Sequence, residues 1–367
     1  MKKFFLSVLV ILVCSAVFGI TFWVSWEGEK FYRDAAAAFK EETGIDVEIV
    51  YFPKIEEKLN INLKTGYLPD AAMIKDTYVG DVAASGRSLS LNLASLTGYS
   101  QKFLNAYVWN GEITAVPFYA DCQVAFVNLN AFEEAGIVLG EKLDFDQFEA
   151  IKESLTGVVD YPIAFDFTSP YVMFPYVSAL MSQEELYELN IGASGSREIV
   201  SKIKEYFDNG VISRLERAAM NKLFAQGKIG IMLQGSYMAS KFREKGPDFV
   251  MLPFPNIEGV EVSGIIDSKG FALFNSDTSE QCMSFIGFLN EHSHDFFVEY
   301  DKYPLFGSDS PQELEWVVNQ GKFMPNLPGY QSLLFEALEP ALQAIYSGAM
   351  TVDQALSGAQ SYIDSIR

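Results

Sequence analysis

Residues Ile20–Tyr51 read ITFWVSWEGEKFYRDAAAAFKEETGIDVEIVY. Ile20–Trp26 is a β-branched and aromatic run. Phe31, Ala35, Ala38 and Phe39 then recur at helical spacing up to Gly44, a residue suited to the left-handed turn that ends a helix, and IDVEIVY alternates with period two. The stretch predicts strand, helix, strand. A second helical pattern through Ile55, Leu59 and Leu63 stops at Gly66, and PDAAMI follows as a short buried strand. Repeated units of this kind predict an α/β fold with a mainly parallel, helix-covered sheet.

Downstream the order changes. EITAVPFYADCQVAFV, Glu112–Val127, reads as two strands with a polar break at Asp121, and helical patterns cover Phe145–Leu155, Tyr171–Ser182, Arg197–Phe207 and Leu215–Gln226. Strands return at Lys228–Gly235 and Asp248–Pro255, and Gly264–Phe274 reads as a crossing segment that leads into another strand. A chain of 367 residues, 49% apolar and 14% aromatic, supplies more than one sizeable core. Two lobes joined by several short strands are expected.

Lys2 and Lys3 precede Phe4–Val13, an apolar run too short to span a bilayer, and small residues follow; this is the pattern of a signal peptide over residues 1–19, cleaved after Gly19. Cys14 follows Val13 where a lipid-modified cysteine wants a small residue, so a free periplasmic protein is expected. Loss of Lys2 and Lys3 takes the formal charge from -21 to -23, which repels nucleic acid and anionic lipid. Neither is an expected partner. Cys122 and Cys282, 160 positions apart, are expected as buried thiols.

Several chemistries lack their residues. His292 and His294 are the two histidines, with no cysteine or carboxylate cluster beside them in sequence, so no metal is expected. There is no glycine-rich phosphate loop and no Gly-x-Ser-x-Gly elbow, and no cofactor is expected. Carboxylate pairs leave a glycosidase open, with Asp76 and Asp121 as its pair. What the chain has in excess is aromatics at segment edges beside carboxylates: Trp26 before Glu27, Asp76 two before Tyr78, Phe118 and Tyr119 before Asp121. Sugars demand this mixture, because their hydroxyls need donors and acceptors while their C–H faces pack on rings.

The segments FKEETGIDVEI (Phe39–Ile49), KIEEKL (Lys54–Leu59), Pro69-Asp70, LFAQGKIGIMLQGSY (Leu223–Tyr237), MPNLP (Met324–Pro328) and TVDQALSGAQ (Thr351–Gln360) occur in an order that resembles the maltose/maltodextrin-binding proteins, extracellular solute-binding components of ABC importers. The resemblance implies a two-lobed, periplasmic-binding-protein-like fold with three crossing segments and a ligand cleft between lobes. The lobes would be 20–121 plus 266–311 and 122–265 plus 312–367. It also implies a monomer without enzymatic activity that captures a di- or oligosaccharide and hands it to an ABC permease in the inner membrane. The alternative is another small polar solute in the same cleft.

Carried over by position, the resemblance puts Trp26 and Glu27 in the first-strand loop and Lys54 at a sugar-donating lysine. Asp76 aligns with the main hydroxyl-binding aspartate and Asp121 with a glutamate at the first crossing. Tyr171 and Tyr237 take second-lobe stacking positions, and Tyr330 lies near the cleft mouth. Thr77 stands for an arginine and Leu334 for a tryptophan, departures that imply a preference shifted away from maltose itself. Pro340, lacking a backbone donor, predicts a kink or a fresh helix start.

Overall fold

The opening stretch folds as its periodicity requires: β1 (Ile20–Val24) runs into α1 (Glu29–Thr43) and returns as β2 (Val47–Tyr51), parallel to β1. Gly44 ends α1 at φ 78°, its N–H donating to the Lys40 carbonyl. α2 (Ile55–Thr65) leads to β3 (Ala71–Lys75), which pairs on the other side of β1. This computed structural model describes residues 19–92, 96–307 and 312–367. The expected signal peptide, apart from Gly19, lies outside the described residues, and so does Cys14.

β4 (Ala115–Asn128) is one continuous buried strand of 14 residues. The polar break expected at Asp121 is absent, because Asp121 is held inside the strand by buried lysines described below. Beyond it come β5 (Tyr161–Ala164), α3 (Pro170–Val177), α4 (Arg217–Ala225), β6 (Ile229–Gly235) and β7 (Phe249–Leu252). β8 (Ile265–Leu273), α5 (Ser279–His292), β9 (Tyr303–Pro304), α6 (Gln312–Gln320), β10 (Lys322–Phe323), α7 (Tyr330–Tyr346) and α8 (Val352–Ile366) follow. α7 is helical straight through Pro340, so no fresh start occurs there.

The sheet is mixed rather than mainly parallel. β1 with β2 and β3, β5 with β6, and β8 with β10 are parallel; β8 lies antiparallel to β3 and to β4, and β4 is antiparallel to β6, β7 and β9. A separate small antiparallel pair joins Val108–Trp109 to Glu112–Ile113, and within the main sheet the antiparallel pairs all involve β4 or β8. These two strands pair with each other from Ile266↔Cys122 to Ala272↔Ala115.

Burial separates two hydrophobic clusters along these strands, which makes the fold two-lobed. One holds Phe22, Tyr32, Val116, Tyr119, Phe271 and Phe296; the other holds Ala120, Val124, Ile231, Ile266, Leu305 and Leu334. Core membership therefore changes between Tyr119 and Ala120 on β4 and between Ile266 and Phe271 on β8, and again between Phe297 and Leu305. Cys122 and Cys282 are buried thiols in different clusters.

Candidate functional site

Where the two clusters face each other a cavity of about 490 Å³ opens, with walls from both. A groove of about 360 Å³ between α1 and α5, on the outside of the first lobe, is smaller and draws on that lobe alone. Clefts between packed units are the usual small-ligand sites.

The first wall begins in the loop after β1. Trp26 sits at φ 62°, a left-handed conformation that costs a non-glycine residue about 1–3 kcal/mol, and its carbonyl accepts from the Tyr51 hydroxyl at 3.0 Å. Gly28 then lies so close to the Phe296 ring that a β-carbon would overlap it. Backbone strain and close packing thus hold Trp26 at the cavity, and the ammoniums of Lys75 and Lys269 lie 5.7 and 5.8 Å from its ring centroid. Cation–π attraction is expected at that range.

Beneath Trp26 is a buried charge network. Lys302 Nζ meets Asp121 Oδ1 at 2.9 Å and Glu27 Oε1 at 3.3 Å, and Lys269 Nζ meets Asp121 Oδ2 and Asp267 Oδ2, each at 3.0 Å. The Tyr119 hydroxyl donates to Glu27, and the Ser236 hydroxyl, from the second lobe, donates to Asp121 Oδ1 at 3.3 Å. Burial works against both charges of the Lys269–Asp267 pair, yet Asp267 and Asp121 hold the Lys269 pKa raised, while Lys269 and Lys75 hold that of Asp267 lowered. Both oxygens of Asp121 are therefore occupied by cations. Asp267 and Glu27, with side chains 24% and 26% exposed, present the accessible carboxylate edges.

The second wall is aromatic. Tyr171 is the second residue of α3, Tyr237 follows β6, and the Gly235 between them has no room for a side chain because the Tyr237 ring and Tyr171 hydroxyl crowd it. Phe174, Met324 and Phe335 extend this apolar surface, and Arg217 stands at its edge. The Thr77 hydroxyl donates to Gln331 Oε1 at 3.4 Å, a polar contact across the cavity.

Of the residues expected at the site, Trp26, Glu27, Thr77, Asp121, Tyr171 and Tyr237 line this cavity together. Four do not. Lys54 is exposed and pairs with Glu57 at 2.7 Å, as a helix-start lysine does. Asp76 is 1% exposed behind β8, its Oδ1 accepting from the Ser268 N–H at 2.7 Å and hydroxyl at 3.1 Å while Oδ2 has no partner. Burial, then the charge of Asp267, push its pKa up to about 7. Tyr330 and Leu334 are core residues of α7, Tyr330 donating its hydroxyl to the Leu186 carbonyl. Positions three to four apart share a helix face, so Gln331 and Phe335 meet the cavity instead.

Sequence reading missed Lys75, Arg217, Asp267, Lys269, Lys302, Gln331 and Phe335. GIIDSKGFALF carried a signal for two of them: a strand that places Asp and Lys two positions apart puts both on one face. Lys302, in a loop 181 positions from Asp121, had none.

Four carboxylates at the cavity (Glu27, Glu56, Asp121, Asp267) are matched by Lys75, Arg217 and Lys269 and, behind the wall, Lys302. The arrangement offers balanced hydrogen-bonding charge on one side and ring faces on the other. Among the described residues no group of three His, Cys, Asp or Glu side chains could hold a metal ion.

Residues 34–295 match the family described as bacterial extracellular solute-binding protein. The chain is 21% identical over 374 residues to proteins of Brucella abortus (strain 2308) and Brucella suis biovar 1 (strain 1330) named as binding proteins, an alignment that takes in 92% of this chain and 89% of theirs. It is likewise 21% identical over 376 residues to the galactooligosaccharide-binding protein of Bacillus subtilis (strain 168), covering 92% of this chain and 86% of that one. Coverage this complete makes the likeness one of whole chains, not of a shared segment.

Proposed function

The chain belongs to the bacterial extracellular solute-binding proteins, binding proteins and not enzymes, and from that premise we propose that it captures a di- or oligosaccharide for an ABC transporter permease. The observation that carries the ligand class is the two-walled cavity, with Trp26 and accessible carboxylate edges on one side and Tyr171, Tyr237 and Phe335 on the other. Rings take the C–H faces of a pyranose; Glu27, Asp267 and Lys75 suit its hydroxyls. Its volume is that of a small-ligand site. The near balance of charged groups along the cavity favours a ligand of small net charge. The galactooligosaccharide-binding relative and the maltodextrin-type motifs support the same class from two directions.

Within that reading the lobes are 20–121 plus 266–311 and 122–265 plus 312–367, supported at the first two boundaries by the change of core membership along β4 and β8. The ligand bridges both walls and stabilises a closed state which the permease in the inner membrane recognises. The protein works as a monomer in the periplasm after loss of residues 1–19; no helix among the described residues is long and apolar enough to cross a membrane.

The test is a calorimetric and thermal-shift screen of galacto-, malto- and other di- and trisaccharides. The expected result is a stoichiometric complex with at least one of them, accompanied by a change in Trp26 fluorescence and weakened at least tenfold by Trp26→Ala. A full panel with no heat and no shift would overturn the saccharide class.

A further inference from the structure

Among the cations at the cavity, Lys269 meets Asp121 and Asp267 at 3.0 Å, and Lys75 lies 3.7 Å from Glu56. Arg217 has no carboxylate partner among the described residues. It occupies the first position of α4, where the helix dipole opposes a positive charge, and it is exposed at the cavity edge. Neither helix stability nor an ion pair accounts for it.

The guanidinium is nevertheless held. Nη2 donates to the Tyr237 hydroxyl at 2.5 Å, and the group lies over the same ring, 5.4 Å from its centroid. That hydroxyl spends its own proton on Gln234 Oε1 at 2.7 Å, so it faces Arg217 as an acceptor. Gln234 is 1% exposed and fixed in turn by the Gly235 N–H and by Asn221, each at 3.0 Å. Hydrogen bonds that run back to the buried Gln234 therefore hold one edge of a guanidinium that has five N–H donors, one of them engaged by Tyr237. The remaining N–H groups stand at the cavity edge beside the Tyr237 ring.

We propose that Arg217 is the specificity-setting residue of the second wall. Its fork donates in parallel to two adjacent oxygen acceptors on the saccharide ring, either vicinal hydroxyls or the carboxylate of a uronic acid residue. A sugar whose hydroxyls are turned the other way at that ring presents no matching pair and leaves the donors unsatisfied, which is how a polar site rejects a near-identical ligand. This inference rests on the saccharide reading above.

The test uses the mature chain and isothermal titration with galactobiose, maltose, trehalose and digalacturonate. Arg217→Ala is expected to weaken the best ligand ten- to a hundredfold and to flatten the ranking of the panel. Arg217→Lys should restore only a minor part, because an ammonium is a point donor without the fork. Tyr237→Phe, which keeps the ring but frees the guanidinium, should show a smaller loss in the same order of sugars. Tighter wild-type binding of digalacturonate than of galactobiose, abolished in Arg217→Ala, assigns the carboxylate; the opposite ranking, also abolished, assigns the hydroxyl pair. Unchanged affinities and ranking in a folded Arg217→Ala chain overturn the proposal and leave the saccharide reading standing, as does an equal loss for every sugar. A wild-type chain that binds none of the panel overturns both.

Discussion

Replacing Asp76 by asparagine removes the charge of this carboxyl while keeping its shape. In the folded chain burial and Asp267 raise its pKa from 3.8 to about 7, in spite of two bonds from Ser268 and the attraction of Lys269. Because the native value is the higher one, the folded state holds a proton that the unfolded chain has already lost. The resulting stabilisation is fully present below about pH 3.8 and disappears as pH rises through about 7. Two-state linkage with those values gives a loss of about 2–3 kcal/mol between pH 5 and pH 8. The asparagine variant cannot titrate. Its amide keeps an oxygen for Ser268 but leaves an N–H₂ where Oδ2 had no partner, which costs about 1–3 kcal/mol at every pH. Urea unfolding of both proteins at pH 5 and pH 8 reads the difference directly, and groups shared by the two cancel. Wild type should lose about 2–3 kcal/mol more than Asp76→Asn over that interval. Equal slopes would show that Asp76 does not exchange a proton in this range and would refute the reasoning.

Leu334→Ala and Phe335→Ala should separate core from site on adjacent residues. The first is expected to lower stability by about 2–5 kcal/mol with ligand affinity little changed, the second to weaken sugar binding with a small change in melting temperature; calorimetry and thermal melts on both check it. Lys302→Met keeps the side-chain volume but strips a cation from Asp121 and Glu27, and urea unfolding should show a loss near the lower end of about 3–5 kcal/mol, since Lys269 still meets Asp121. Gly80→Ala would drive a methyl into the Asn326 carbonyl, where MPNLP packs against the first lobe. A destabilisation of about 1–3 kcal/mol should appear in its thermal melt.

Much of the fold was legible because its elements are locally determined. Ile20–Tyr51 carries its own periods and its own glycine stop, and the observed β1–α1–β2 unit follows them. Errors arose where distant residues decide. Asp121 reads as a break in a strand because a lone carboxylate inside a sheet would be costly; Lys269 and Lys302, 148 and 181 positions away, remove that cost, and β4 runs on. The mainly parallel sheet failed for a related reason. Hydrophobic runs predict strands but not direction, and the long strands β4 and β8, which change core along their length, pair antiparallel to each other and to most of their other neighbours, the short β10 excepted.

The site was legible to the level of segments and not of single positions, and α7 shows why. MPNLP delivers the helix to the right place: Asn326 donates to the carbonyls of Ala106 and Val108 across the lobes, and Asp81 accepts from the Gly329 N–H at its start. Which face of the helix then meets the cavity depends on rotation, and one residue turns a helix by about 100°. Assigning Tyr330 and Leu334 to the cleft and finding Gln331 and Phe335 there is an error of one residue in register, yet it reverses the inference drawn from it. With Leu334 in the wall the helix would lack an aromatic platform, and the preference would move away from oligosaccharides that stack on one. With Phe335 in the wall the platform is present, one step further on, so the absence of a tryptophan at 334 says nothing about which sugar binds. Discrimination is then left to groups whose hydrogen bonds fix their direction, and on the second wall the group proposed for it is Arg217.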